Sequence, residues 1–356
     1  MGKTGAELIA AFKPKQAATT WGTALAAGPL DGIIPLTTPN IFAPGGEIVY
    51  ENGLNGQAEL SAGELLLENV QYQLPFEWRM APNRAWSFWA QLMGAESFNE
   101  TSPGIWDTRH TFEPDNPYFG TFMAEVGGTD IFQTSSLYTS GCTIAPNSDG
   151  FMQFTFDCIG NTIVSADDDT LANTSTTVDT VTYGTLADRA PFSCTVIRMN
   201  DYEDPNNVDL EPLLKVTNWS LTVNRSFKTT PVNGYICNGA EKQIQLPVRD
   251  GVSEIFFEIT FDEYTDLSQF QDFKAGQLKK AVVDFWINSS FTMRIAMPLL
   301  QPEAPEASTP GKSSIPLTLR YRALEAATAP PFFLYPNALY SFIRGTDGTT
   351  PYLESP

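Results

Sequence analysis

Val70-Gln71-Tyr72-Gln73-Leu74-Pro75-Phe76-Glu77-Trp78 alternates apolar and polar residues and leads into a helical stretch, Asn83–Met93, that stops at Gly94. Val70, Tyr72, Leu74, Phe76 and Trp78 share one face, and Gln71, Gln73 and Glu77 the other, the period-two pattern of a half-buried strand. In the helical stretch Trp86, Trp89 and Met93 fall on one stripe with Phe88 and Leu92 beside them. Asn83 is the expected N-cap and Gly94 the C′ residue. The unit recurs as Val252–Phe261 and then Asp266–Ala275, stopped by Gly276. There Asp266 and Gln269 have capping-box spacing, and Leu267, Phe270 and Phe273 form the apolar stripe. A strand–helix–glycine unit repeated once in a strand-rich chain predicts two related domains in tandem.

Alternation extends through most of the rest. Strands are expected at Thr108–Phe112, Gly120–Val126 and Leu137–Ile144, followed by a turn at Pro146–Gly150. Met152, Phe154, Phe156 and Cys158 then point inward between Gln153, Thr155 and Asp157. In the second half Trp219, Leu221, Val223, Arg225 and Phe227 make one inward row, and Ile255, Phe257, Ile259 and Phe261 the next. Val283–Ile287, Phe291–Met297 and Ile315–Leu324 complete the strands. Between the halves, Ser165–Thr182 holds Asp167-Asp168-Asp169 and a Thr/Ser-rich run, read as an exposed loop and domain junction. Gln301–Ser314, with three prolines, reads as a mobile loop. The turn-rich start, anchored by Trp21, Ile33-Ile34 and Phe42, reads as an extended arm, packed on its own domain or across a partner. The resulting division is an arm at 1–60, domains at 61–190 and 191–328, and an aromatic, proline-punctuated tail at 329–356.

Composition narrows the function. The chain has 356 residues, enough for two ordinary domains or for one large β domain with insertions, and its 42% hydrophobic content supplies real cores. Its 41 acidic against 21 basic residues give a formal charge of −20, which repels a phosphate backbone over most of the surface. Cys142, Cys158, Cys194 and Cys237 lack C-x-x-C spacing and read as reduced core thiols. Met1–Lys15 has too short an apolar stretch for a signal peptide, and no apolar run reaches the roughly 18 residues of a membrane span. Met1-Gly2 is not followed by the Ser or Thr of a myristoylation site, because position 6 is Ala6. The Asn-x-Ser/Thr triplets at Asn99, Asn173, Asn218 and Asn288 carry no weight without a secretion signal.

Catalytic motifs are missing. The single histidine, His110, cannot supply a zinc site, and no G-x-S-x-G elbow exists for a triad. Gly311-Lys312-Ser313 lacks the upstream glycine of a phosphate loop, whose place is taken by Glu306. The acid triplet lacks the glycine and distal glutamate of a calcium loop. Adjacent carboxylates such as Asp262/Glu263 and Glu203/Asp204 do not define a glycosidase cleft. Most Trp and Tyr residues lie on apolar faces, which favours core packing over a sugar-stacking platform. No catalytic, cofactor-binding or metal-binding residue is therefore assigned, and no cofactor is expected.

Ala18-Thr19-Thr20-Trp21-Gly22-Thr23-Ala24, leading into Gly28-Pro29-Leu30-Asp31-Gly32-Ile33-Ile34-Pro35-Leu36, resembles the N-terminal signature of the tail tube (major tail) proteins of long-tailed, non-contractile bacteriophages. Val216-Thr217-Asn218-Trp219-Ser220-Leu221-Thr222-Val223-Asn224-Arg225 is similar to that family's central strand. Ile255–Asp262, its helix at Leu267–Phe273, and Phe291–Pro298 resemble the closing pattern. The acidic stretches at Ser165–Thr182 and Asp201–Glu211 and the long tail depart from it.

The resemblance implies a mainly β protein of two tandem tail-tube-like β-sandwich or barrel domains, each with a short flanking helix. It implies a structural virion protein without catalysis, made in the host bacterial cytoplasm. Its rings stack into an acidic-lined conduit for DNA ejection. The expected partners are the chain itself, as a trimeric ring with pseudo-sixfold symmetry rather than a hexamer, together with the tape measure and the tail terminator and tip proteins. DNA passes without specific binding, and no membrane is involved. The competing readings are a carbohydrate- or receptor-binding β-sandwich of a tail tip or cell surface and a β-sandwich glycoside hydrolase.

Overall fold

A computed structural model of the chain describes residues 8–13, 21–25, 32–33, 46–49, 64–67, 70–77, 92, 94–102, 105–112, 119–128, 130–161, 163–165, 171–173, 191–205, 208–228, 247–263, 268–287, 290–307, 315–325, 331, 333–335, 341–344 and 351–354. The first strands are β1 (Leu8–Lys13), β2 (Gly32–Ile33), β3 (Gly46–Val49), β4 (Glu64–Leu67), β5 (Val70–Glu77), β6 (Gly94–Ser102) and β7 (Ile105–Phe112). There follow β8 (Gly120–Val126), β9 (Asp130–Pro146), β10 (Met152–Gly160), β11 (Ile163–Ser165), β12 (Thr195–Asp201) and β13 (Asn218–Asn224). Next come β14 (Phe227–Lys228), β15 (Val248–Arg249), β16 (Glu254–Phe261), the helix α1 (Ser268–Ala275), β17 (Lys279–Ile287) and β18 (Ser290–Pro302). The last are β19 (Glu306–Ala307), β20 (Leu317–Ala323), β21 (Phe333–Tyr335), β22 (Ser341–Arg344) and β23 (Pro351–Glu354).

The protein is mainly β, and among the described residues its principal sheet has 17 strands. Two runs of neighbours dominate it. One is β5-β10-β9-β13-β16-β20, and the other is β7-β21-β18-β17-β12; the pairing of Leu300–Pro302 with Ala323–Tyr321 joins them. The runs stack face to face, since Phe285 of β17 packs on Phe154 of β10 and on Trp219 of β13. The interior is the set of inward positions that alternation identifies: Tyr72, Leu74, Phe156, Leu221, Phe257 and Ile295 are all buried in one continuous cluster.

Several expectations are met with close boundaries. Gly120–Val126 is β8, and the row Met152 to Cys158 opens β10. The turn between β9 and β10 closes on Asn147, whose Oδ1 accepts from the Asp149 and Phe151 amides, with Gly150 at φ 79°. Gly276 follows α1 at φ 64°, the left-handed position a helix C′ residue needs. Cys142 and Cys158 are buried free thiols, and burial pushes both well above the ordinary cysteine range. Cys194 is half-buried, and Cys237 lies outside the described residues.

Others need correction. Gly94 is also the first residue of β6; of the expected helix Asn83–Met93 only Leu92 is described, helical and buried, and the remainder lies outside the described residues. Of the expected α1 stripe, Phe270 is 47% exposed and Phe273 half-buried, while Asp266 and Leu267 lie outside the described residues. The arm is in part a sheet strand: β1 pairs along its whole length with β8, from Leu8 opposite Val126 to Lys13 opposite Thr121. Trp21 packs edge-on against Phe119, and the Gly22 and Leu25 amides donate to Ser136 Oγ and Thr121 Oγ1. The loop expected at Ser165–Thr182 is pinned at Asn173, which is fully buried and donates to Leu25 O and Gln133 Oε1. Its acid triplet lies outside the described residues. The stretch expected as a mobile loop at Gln301–Ser314 begins as strand, with Glu306 and Ala307 paired to Thr318 and Leu317. Pro302 ends β18 there, a position where its missing N–H is tolerated.

The duplicated unit has a counterpart in the topology. After β5 comes the hairpin β6–β7, and after β16 and α1 comes the hairpin β17–β18. β21 lies between the two hairpins, with Leu334 opposite His110 of β7 and Ile295 of β18. Across the expected junction β9 and β13 pair directly, from Ile144 opposite Leu221 to Gly141 opposite Asn224.

α1 is tied to the sheet by an ion pair. Lys279 Nζ donates at 2.7 Å to Asp201 of β12 and at 2.7 Å to Asp272 of α1. Burial pulls the Lys279 pKa down, but the hydrogen bonds and charges of the two aspartates more than offset it, so the pKa stands above 10.5. A raised lysine pKa contributes stability fully below the unfolded-chain value, and that contribution is lost as pH rises through the folded value. Lys279→Met is expected to cost about 1–2 kcal/mol at neutral pH, discounted for the exposure of the aspartates. It should also remove part of the stability lost in alkaline solution, read from urea midpoints of both proteins between neutral pH and pH above 10.5.

Candidate functional site

Alternation gives the run β5-β10-β9-β13-β16-β20 a second face, and that face is polar. Gln71 and Gln73 of β5 are exposed, and Gln153, Thr155 and Asp157 of β10 are half-buried outward. Thr143 of β9, Ser220, Thr222 and Asn224 of β13, and Glu258 and Thr260 of β16 continue the surface. Register aligns these residues across strands: Gln73, Asp157, Gly141 and Asn224 form one row, and Thr155, Thr143 and Thr222 another. The face is a broad wall of amides and hydroxyls, built from strands far apart in sequence.

A groove of about 510 Å³ crosses this wall, lined by Gln71, Gln73, Ser140, Asp157, Thr222 and Asn224 among others. Gly141 stands between Asp157 and Asn224 in the row, where a Cβ would lie 3.0 Å from Val223 O and 3.3 Å from the Asp157 carboxylate. Burial raises the Asp157 pKa, and the hydrogen bond from Gln73 Nε2, at 3.1 Å, opposes the shift only in part.

Charge on the face is sparse and weighted to acids. Asp157, Glu254 and Glu258 are among its carboxylates, and Arg320 and Arg322 among its cations; Arg225, which also lines the groove, is buried and donates to the Tyr138 hydroxyl at 2.7 Å. Neither Arg320 nor Arg322 is loose. Arg320 Nε stands 3.2 Å from Glu303, and Arg322 lies 3.4 Å from Glu303 and 3.4 Å from Glu254. Both guanidiniums also lie over the Phe256 ring, at 4.0 and 4.7 Å. A surface of this kind offers hydrogen bonds in all directions and little to hold a polyanion.

The expected lack of a catalytic constellation can be compared with placement. His110 pairs through its backbone with Glu96 and Leu334 inside the sheet. Asp262 and Glu263 are both exposed residues after β16, and Glu203 and Asp204 follow β12. Among the described residues no group of three His, Cys, Asp or Glu could hold a metal. Trp21, Trp219, Tyr72, Tyr138 and Tyr321 are buried, so these rings form no sugar platform. No described helix is long and apolar enough to cross a membrane. Sequence reasoning did not find the arginine pair, although Arg320 and Arg322 stand at outward positions of an alternating strand.

No curated protein matches the chain significantly. The family model for the phage tail tube protein matches residues 15–323, from the N-terminal segment bearing Trp21 to the last residue of β20. That span takes in the whole polar wall and both hairpin units, so this chain belongs to the phage tail tube protein family, structural components of the virion tail that assemble as homo-oligomers into a tube.

Proposed function

We propose that the chain forms stacked rings of a long, non-contractile tail and that the polar face of β5-β10-β9-β13-β16-β20 lines the conduit through which DNA is ejected. The observation that supports this most is the charge pattern of that face: amides and hydroxyls, an excess of carboxylates, and both arginines engaged by glutamates. DNA needs free cations to stall on a wall, because phosphate contacts supply the nonspecific affinity. A net charge of −20 extends the repulsion to the rest of the subunit.

Three chains make one ring in this reading, with residues 61–190 and 191–328 as its two quasi-equivalent segments. The repeated strand and hairpin units support it, as does their common neighbour β21. β5 pairs with β10 and carries Pro75, which lacks an N–H, in its middle, the character of a strand near a sheet edge that an adjacent chain can meet. The tape measure protein occupies the lumen before DNA, terminator and tip proteins cap the ends, and synthesis takes place in the host bacterial cytoplasm. The role is structural, without catalysis.

Electron microscopy of the purified protein over a concentration series tests this directly. Long hollow tubes whose rings contain three chains with pseudo-sixfold appearance are expected. Rings of six chains would overturn the stoichiometry. A persistent monomer with affinity for glycans would replace the reading with a carbohydrate- or receptor-binding β-sandwich.

A further inference from the structure

Arg320 and Arg322 occupy one end of the polar wall, on the last strand of the run. They are cations of its outer surface, and their surroundings are built to occupy them. Glu303 is fixed beside them by its own backbone, since its amide donates to Arg320 O at 2.8 Å. Its two carboxylate oxygens divide between the arginines, Oε2 at 3.2 Å from Arg320 and Oε1 at 3.4 Å from Arg322. Glu254 takes the second edge of Arg322, and Phe256 receives both guanidinium planes. Glu258 lies directly across the strand pair from Arg320. The arginines are still 46% and 42% exposed, so a phosphate can reach them once the carboxylates let go.

We infer that Glu303 and Glu254 are screening residues: they hold a latent phosphate-binding pair, Arg320 and Arg322, closed to nucleic acid. This rests on the reading of the wall as the DNA conduit, but the property belongs to the single chain. Exposed ion pairs add little stability, so stability does not explain so dense an arrangement. Screening does, because two guanidiniums held over one ring place their N–H donors side by side, a set suited to backbone phosphates.

The test uses the full-length, unassembled protein and a short random-sequence DNA duplex, with affinity measured against salt. Wild type is expected to bind negligibly. The variant Glu254→Gln with Glu303→Gln should bind, and its affinity should fall about tenfold between 50 and 200 mM salt, the dependence of two phosphate contacts. Adding Arg320→Gln and Arg322→Gln should erase that gain. Glu203→Gln with Glu263→Gln changes net charge equally at exposed positions elsewhere and should gain nothing. Glu303→Gln alone should give a smaller gain if the double variant folds poorly. No gain in either Glu303 variant, or an equal gain in the Glu203/Glu263 control, overturns the inference. Because binding is read on the unassembled chain, its failure leaves the lumen assignment standing, and a wrong lumen assignment leaves this result standing.

Discussion

Asp284→Ala is expected to destabilise the protein by about 3–5 kcal/mol, the cost of leaving a buried charge without its partner. Asp284 sits in the middle of β17 with no solvent exposure. Arg294, opposite it on β18, donates through Nε at 2.6 Å and through a terminal nitrogen at 2.8 Å, a two-pronged contact. Arg198 of β12 approaches the same carboxylate at 3.4 Å. Removing the aspartate strands the Arg294 guanidinium, itself 5% exposed, between strands that cannot open without losing the sheet. Urea unfolding of the variant measures the effect. Asp284→Leu combined with Arg294→Leu should recover most of the loss, since matched apolar replacement of a buried pair is often neutral. A loss below about 1 kcal/mol for Asp284→Ala would mean that water reaches the pair.

Phe285→Ala should cost a similar amount, about 3–5 kcal/mol, through lost burial and the cavity left behind. Phe285 is the contact between the layers: its ring centroid lies 6.4 Å from that of Phe154 in the N-terminal half and 5.8 Å from that of Trp219 in the C-terminal half. Trp219 in turn packs on Phe257 at 6.2 Å. One cavity therefore touches strands from both halves. The expected result is a single unfolding transition, shifted as a whole, with amide exchange accelerated in β10 as well as in β17. Two separate transitions, with only the C-terminal strands weakened, would mean that the halves are energetically independent despite the shared cluster.

Regular alternation made β5, β10, β13 and β16 legible from sequence, because each has one dry and one wet face and a period of two. Gly276 was legible because a helix end with a left-handed residue favours glycine. Leu8–Lys13 was not, since Leu-Ile-Ala-Ala-Phe-Lys carries no alternation, and its partner β8 is more than a hundred residues away. In β17, Lys280 and Asp284 look like solvent-facing positions, yet both are buried. The segment after β12 accounts for Lys280, whose Nζ donates to Asp204 O, and Arg294 accounts for Asp284. Asn173 looked like a loop residue because its neighbours are polar, and its burial depends on two partners distant in sequence. The polar wall had its individual strands in view but not its order, because β9 meets β10 on one side and β13 on the other, a fact of topology.

The central claim is that this wall faces the bore of a tube, and labelling at a chosen position tests it. Thr222 lies in the middle of the wall, flanked in register by Thr143 and Phe256, and Lys274 lies exposed on α1. Tubes assembled from Thr222→Cys and from Lys274→Cys would be reacted with a small maleimide-gold cluster and averaged by electron cryomicroscopy. Gold density inside the bore for Thr222→Cys, and on the outer surface or between rings for Lys274→Cys, is the predicted result. Gold at Thr222→Cys on the outside of the tube would contradict it.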